Sequence, residues 1–204
     1  MPQMTRIFVL GDSISVHYGP YLKEEVFGDF SYDRKRGEEG EMDDPVGANG
    51  GDSRMVLNYL QERRQQGGVP TDWMLFNCGL HDLRVNPGQD EHQVPLGEYR
   101  KNLGLILDEI EAMEVRPIWM RITPVIDAIH NARTELFCRY AADVEAYNQA
   151  ADKVMEERTI AVIDLHRFSE KCGVGAFIDH VHYDPAVRRK QAEFLAKSLK
   201  QLSQ

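Results

Sequence analysis

Three residues of this sequence have the types and placement to activate a hydroxyl nucleophile: Ser13 near the beginning, and Asp179 and His182 near the end. Ser13 closes the run Ile7-Phe8-Val9-Leu10-Gly11-Asp12-Ser13. A short apolar stretch stopped by Gly and Asp, with amphipathic sequence behind it, reads as the first strand and helix of an open α/β sheet. Ligands of such sheets bind beyond the carboxyl ends of the strands. There Ser13 would carry its N–H among the unpaired donors of a helix N-terminus. Taken alone, the same residues also read as a helix cap made by Asp12 or Ser13. Near the other end, Asp184 is a good N-cap and Pro185 a good first helical residue, which leaves Asp179 and His182 in the loop just before. In a turn, residues three apart bring a carboxylate onto one imidazole nitrogen and leave the other free to face a serine. A hydroxyl nucleophile requires such a base, and a group that holds its tautomer and stabilises its cation. Alone, Asp-x-x-His also describes an ordinary surface pair.

Other candidates are weaker. A second Gly-Asp-Ser, at Gly51-Asp52-Ser53, lies at a helix start with no apolar strand before it, so Ser53 reads as a capping or hydrogen-bonding group. His17 and His166 are placed to approach the pocket but read as structural or solvated, and His180 neighbours His182 without a carboxylate three positions before it. Arg121, near the end of a strand, would meet either an anionic substrate group or an internal ion pair. Cys78 ends a buried strand and reads as packing. No group of His, Cys, Asp and Glu has the spacing of a metal site, and no cofactor motif is present.

These residues must be positioned by the elements around them. Strands are expected at about 7–10, 30–33, 73–78, 115–122 and 160–163. Helices are expected after Ser13, regular only from about Pro20 because proline belongs in a first turn, and then at about 53–66, 96–113, 133–157 and 185–202. Leu103, Ile106, Leu107 and Ile110 share one helix face. Phe137, Tyr140, Val144, Tyr147 and Val154 are expected core contacts of the long helix 133–157. The stretch 34–49, with Glu38, Glu39, Glu41, Asp43 and Asp44 among glycines and Pro45, reads as a long exposed loop. This β/α alternation implies a three-layer α/β/α sandwich with a mainly parallel five-stranded sheet.

The length of 204 residues fits one domain, 1–204. A formal charge of −9 argues against a large basic surface for nucleic acid or anionic lipid. No stretch is long and apolar enough to span a bilayer, and the first residues lack the pattern of a secretory signal. Three widely spaced cysteines fit reduced thiols, so a cytoplasmic location is expected.

Set side by side, four blocks resemble the SGNH, or GDSL, hydrolase family, in family order and across nearly the whole chain. They are Gly11-Asp12-Ser13, Asn49-Gly50-Gly51-Asp52-Ser53, Gly79-Leu80-His81-Asp82 and Asp179-His180-Val181-His182. The resemblance implies a flavodoxin-like fold and a serine esterase that cleaves carboxylic esters through an acyl-enzyme without a cofactor. Ser13 would be the nucleophile, His182 the base and Asp179 its orienting acid. The oxyanion hole would be built from the N–H groups of Ser13 and Gly51. Where the family has asparagine as the third oxyanion donor, this chain has His81. Neutral imidazole has a single N–H and must hold the tautomer that aims it inward. Two other readings use the same residues: an acyltransferase sharing the acyl-enzyme, and a binding protein whose catalysis is impaired by the change at position 81. The expected partner is a small ester, with a slight lean toward a polar one such as an acetylated sugar.

Overall fold

The computed structural model describes residues 4–37 and 47–204. Five strands, β1 (Thr5–Leu10), β2 (Phe30–Arg34), β3 (Trp73–Phe76), β4 (Arg116–Met120) and β5 (Ala161–Ile163), form one sheet in the order β2-β1-β3-β4-β5. All four pairings are parallel. The central strands are apolar on both faces because both are covered: Ile7, Val9, Leu10, Met74, Leu75 and Phe76 are buried. Helices α1 (Ser13–Glu25), α2 (Ser53–Gln65), α3 (Leu96–Ala112), α4 (Asp127–Arg133), α5 (Ala141–Glu157), α6 (Leu165–Glu170) and α7 (Pro185–Leu202) make up the outer layers. Helix α1 packs on α7 and α7 on α6; separately, α2 packs on α3 and α3 on α5. This is the expected α/β sandwich. Its strand order reverses at β1, and right-handed crossovers therefore send α1 and α2 to opposite faces. The crevice that such a reversal opens lies beyond the carboxyl ends of β1 and β3, and the segments beginning at Gly11 and Asn77 emerge there.

Three expectations need correction. Helix α1 starts at Ser13, not near Pro20, and carries Pro20 in its interior. The proline is exposed, so the carbonyl it leaves without an N–H partner is on the solvent side. The helix expected at 133–157 begins only at Ala141: α4 ends at Arg133, and residues 134–140 between it and α5 are not helical. Cys138 donates to the Val85 carbonyl (2.8 Å) and accepts from the Val85 N–H (2.9 Å), so its backbone is spent on a β-bridge rather than a helix. Within that break Tyr140 is exposed and Phe137 half-buried, whereas Val144, Tyr147 and Val154 are in the core as expected. Lastly, the stretch expected to be an exposed loop is exposed at Arg36 and Gly37 but buried at Lys35, Gly47 and Asn49. Lys35 donates to the Asn49 carbonyl at 2.8 Å and also to that of Gly47. Its acidic residues from Glu38 to Asp44 lie outside the described residues. Among the described residues, no helix is long and apolar enough to cross a membrane.

Candidate active site

Chain exits from β1 and β3 touch: a Cβ on Gly11 would lie 2.1 Å from Asn77 Oδ1, so any side chain there would have to displace the Asn77 amide. Asp12 then caps α1, its Oδ1 accepting from the Ile14 N–H at 3.0 Å. Burial pushes the Asp12 carboxyl above its ordinary range, against the pull of Arg139 and the Ile14 N–H. Capping by Asp12 leaves Ser13 as the first residue of the helix, where its N–H has no intrahelical acceptor.

The other half of the site is a tight turn before α7. Asp184 caps that helix through the Val187 N–H at 2.9 Å, with Pro185 in the first turn. The Ile178 N–H donates to the His182 carbonyl at 2.9 Å and closes the turn. Within it, Asp179 Oδ1 accepts from the N–H groups of Val181 (2.9 Å) and His182 (2.8 Å). Asp179 Oδ2 lies 2.7 Å from His182 Nδ1, and His182 Nε2 lies 2.8 Å from Ser13 Oγ. A carboxylate accepts only, so Nδ1 carries the imidazole proton and Nε2 is left to accept from the serine hydroxyl. Burial works against the charge of Asp179, but its two backbone N–H bonds and His182 outweigh it and hold the carboxyl below its ordinary range.

The loops after β2 and β3 form the remaining wall. Gly50 donates to the Gly11 carbonyl at 2.8 Å. Gly51, at φ +73°, points its N–H to Asn49 Oδ1 at 2.9 Å. Asp52 caps α2. Ser53 is fully buried, its N–H on Asp82 (2.9 and 3.0 Å to the two oxygens) and its Oγ accepting from Asn102. It therefore does not face the crevice. His81 is partly exposed, with Nε2 3.4 Å from Asn49 Nδ2.

Residues 79–82 are also held from the chain break between α4 and α5. Buried Arg139 donates through Nε to the Leu80 carbonyl at 2.6 Å, and its Nη1 lies 3.2 Å from His130 Nε2. Burial first, and Arg139 second, push His130 down to about 4, so it is neutral and donates from Nδ1 to Asn131 Oδ1 at 3.0 Å. Arg133 reaches the Asp179 carbonyl at 2.7 Å. One segment thus braces both the loop bearing His81 and the turn bearing Asp179 and His182. Sequence reasoning missed this because it read the segment as uninterrupted helix.

His17 approaches the site, its ring centroid 4.5 Å from that of His182. The spacing of four from Ser13 on one helix puts the two residues on the same face, a signal present in the sequence. His180 has its ring centroid 5.7 Å from that of His182. Arg121 is spent on Asp152 (3.1 Å) and Asp164 (3.4 Å), and His166 on the Ile122 carbonyl (2.7 Å). Cys78 is buried, and burial pushes its thiol well up. Asp179, His180 and His182 offer ligand atoms within 4.8 Å of one another. A metal there would have to displace the hydrogen bonds that link Asp179, His182 and Ser13.

Asp82 is fully buried behind His81, and burial raises it from 3.8 to about 7 even though it accepts from Ser53. Between about pH 4 and 7 the folded chain thus keeps a proton that the unfolded chain has released, so stability falls as pH rises across that window. Asp82→Asn, neutral throughout, is expected to melt with a flatter pH profile from pH 4 to 7. Thermal melts of both proteins across that range would check this, and parallel profiles would count against it.

A hydroxyl, an imidazole and a carboxylate thus lie in line at the reversal point of a parallel sheet. The chain belongs to the GDSL-like lipase/acylhydrolase family, whose model matches residues 7–195. A lipase/acylhydrolase from Enterococcus faecalis superposes with a TM-score of 0.72 at 14% identity, covering 97% of this chain and 96% of that one. The psychrotrophic esterase EstA from Pseudoalteromonas sp., in a structure inhibited by monoethylphosphonate, gives 0.66 at 15% identity, covering 97% and 98%. A carbohydrate acetylesterase from Sinorhizobium meliloti gives 0.67 at 11% identity, covering 97% and 99%. At these identities the likeness is one of fold. Among curated proteins, no sequence matches.

Proposed function

We propose that the chain acts as a single serine esterase domain that hydrolyses small carboxylic esters through an acyl-enzyme. The observation that carries this reading is the line from Asp179 through His182 to Ser13, with separations of 2.7 and 2.8 Å. His182 Nε2 takes the Ser13 proton as Oγ bonds to the ester carbonyl carbon, and Asp179 stabilises the imidazolium. The carbonyl oxygen becomes an oxyanion held by the N–H groups of Ser13 and Gly51 and by His81. Of these, the Gly51 N–H is shared with Asn49 Oδ1. The carbon–oxygen bond to the alcohol then breaks, and the alcohol leaves with the proton from Nε2. Water adds by the same route, its proton passing to Nε2, and the acid is released as Ser13 is restored.

A polar ester such as an acetylated sugar is the favoured substrate class. The polar, acidic composition of residues 34–49 supports it, as does the carbohydrate acetylesterase among the structural neighbours. The test is labelling with a p-nitrophenyl phosphonate, followed by turnover of p-nitrophenyl esters of increasing chain length. One phosphonate on Ser13, none on Ser13→Ala, and fastest turnover of the acetyl ester are expected. An unlabelled Ser13 would overturn the esterase and acyltransferase readings together and leave the binding protein. Acyl transfer to added sugar in preference to water would select the transferase.

The role of His81 has its own expected outcome. His81→Ala lowers kcat by about 10²–10³-fold, the usual loss for one oxyanion donor, with KM little changed, and His81→Asn recovers most of it. Equal kcat in the three proteins would remove His81 from the mechanism.

A further inference from the structure

We infer that Asn49 is a positioning residue that fixes the tautomer of His81, placing the imidazole proton on Nδ1. The assignment begins at Gly51. Its backbone N–H can only donate, so the Asn49 side-chain atom 2.9 Å away must be the amide oxygen. The other end of the amide is then the NH₂ group, and it faces His81 Nε2 at 3.4 Å. An NH₂ group only donates, so Nε2 must present its lone pair. The single N–H of the neutral ring is consequently at Nδ1.

Turning the amide over offers no alternative, because it would set NH₂ against the Gly51 N–H. Nor does the amide have room to drift. Asn49 is fully buried, its carbonyl accepts from Lys35 Nζ at 2.8 Å, and the next residue, Gly50, is tied to the Gly11 carbonyl at 2.8 Å. A neutral imidazole constrained in this way behaves like the amide it replaces in the family pattern: one donor, at one place. Whatever N–H His81 lends to an oxyanion therefore comes from Nδ1. That last step rests on the proposed esterase reading; the tautomer does not.

The experiment is a long-range ¹H–¹⁵N correlation spectrum of the whole chain labelled with ¹⁵N-histidine, recorded above pH 8. The signals of His81 are assigned by their loss in His81→Asn. In the wild type the proton is expected on Nδ1. Asn49→Asp keeps the shape and the acceptor for Gly51 but turns the donor into an acceptor, and there the proton is expected on Nε2. Turnover of p-nitrophenyl acetate, read in parallel, is expected to fall in Asn49→Asp through kcat, by about 10²-fold, with KM little changed. A wild-type His81 protonated on Nε2, or the same tautomer in both proteins, would overturn the inference. The wild-type spectrum decides the matter even where Asn49→Asp fails to fold. The predicted spectra in a protein that turns over no ester would refute the esterase reading and leave the tautomer assignment standing.

Discussion

Ser13→Ala, His182→Ala and the double variant are expected to lose nearly the same activity, about 10⁶-fold in kcat for p-nitrophenyl acetate, with little change in KM. The equality follows from the geometry. Ser13 Oγ and His182 Nε2 are 2.8 Å apart, and each is useless to the reaction without the other: a serine with no base keeps its proton, and a base with no serine has nothing to activate. Once either is gone, the second substitution has no catalysis left to remove beyond what binding and the oxyanion donors supply. For Ser13→Ala fold loss is not a rival account, since deleting one hydroxyl that makes one hydrogen bond costs about 1 kcal/mol. Thermal melts of all three variants would check that. Additive losses in the double variant, or Ser13→Ala retaining more than a hundredth of the wild-type kcat, would show that the two residues do not act as a unit.

Most of the fold was legible because it rests on local signals. The runs at 7–10 and 73–76 are apolar without alternation, as strands covered on both faces must be, and the helix from Pro185 announces its start through Asp184. Similarly, Asp179 and His182 could be placed in one turn because that turn ends at a recognisable cap. What stayed hidden depends on partners far along the chain. Nothing around Cys138 says that its backbone pairs with Val85, 53 residues earlier, so the break between α4 and α5 was read as helix. With it went Arg133 and Arg139, which brace the two walls of the site. Asn49 was legible as a residue of the second block, but not as the amide that joins Gly51 to His81. That role depends on which way a buried side chain faces, and composition does not encode it.

Asp179→Asn is expected to cost about 10⁴-fold in kcat while leaving the turn intact, and the reason lies in the acceptors the carboxylate supplies. Oδ1 takes two backbone N–H groups, from Val181 and His182, and Oδ2 takes one ring nitrogen. An amide in this position has one oxygen to give. Turned toward the two N–H groups, it keeps the turn and presents NH₂ to His182 Nδ1. The imidazole must then accept at Nδ1 and carry its proton on Nε2, facing Ser13, where it can no longer remove a proton. Turned the other way, the NH₂ meets two backbone donors, a worse arrangement for the fold, so the first orientation prevails. The lesion is thus a proton on the wrong nitrogen of a correctly placed ring. It predicts a diagnostic spectrum: ¹⁵N-labelled Asp179→Asn should show His182 protonated on Nε2, with the melting temperature close to that of the wild type. Retention of the Nδ1–H form together with near-normal kcat would mean that Asp179 only shapes the turn and does not set the state of the base.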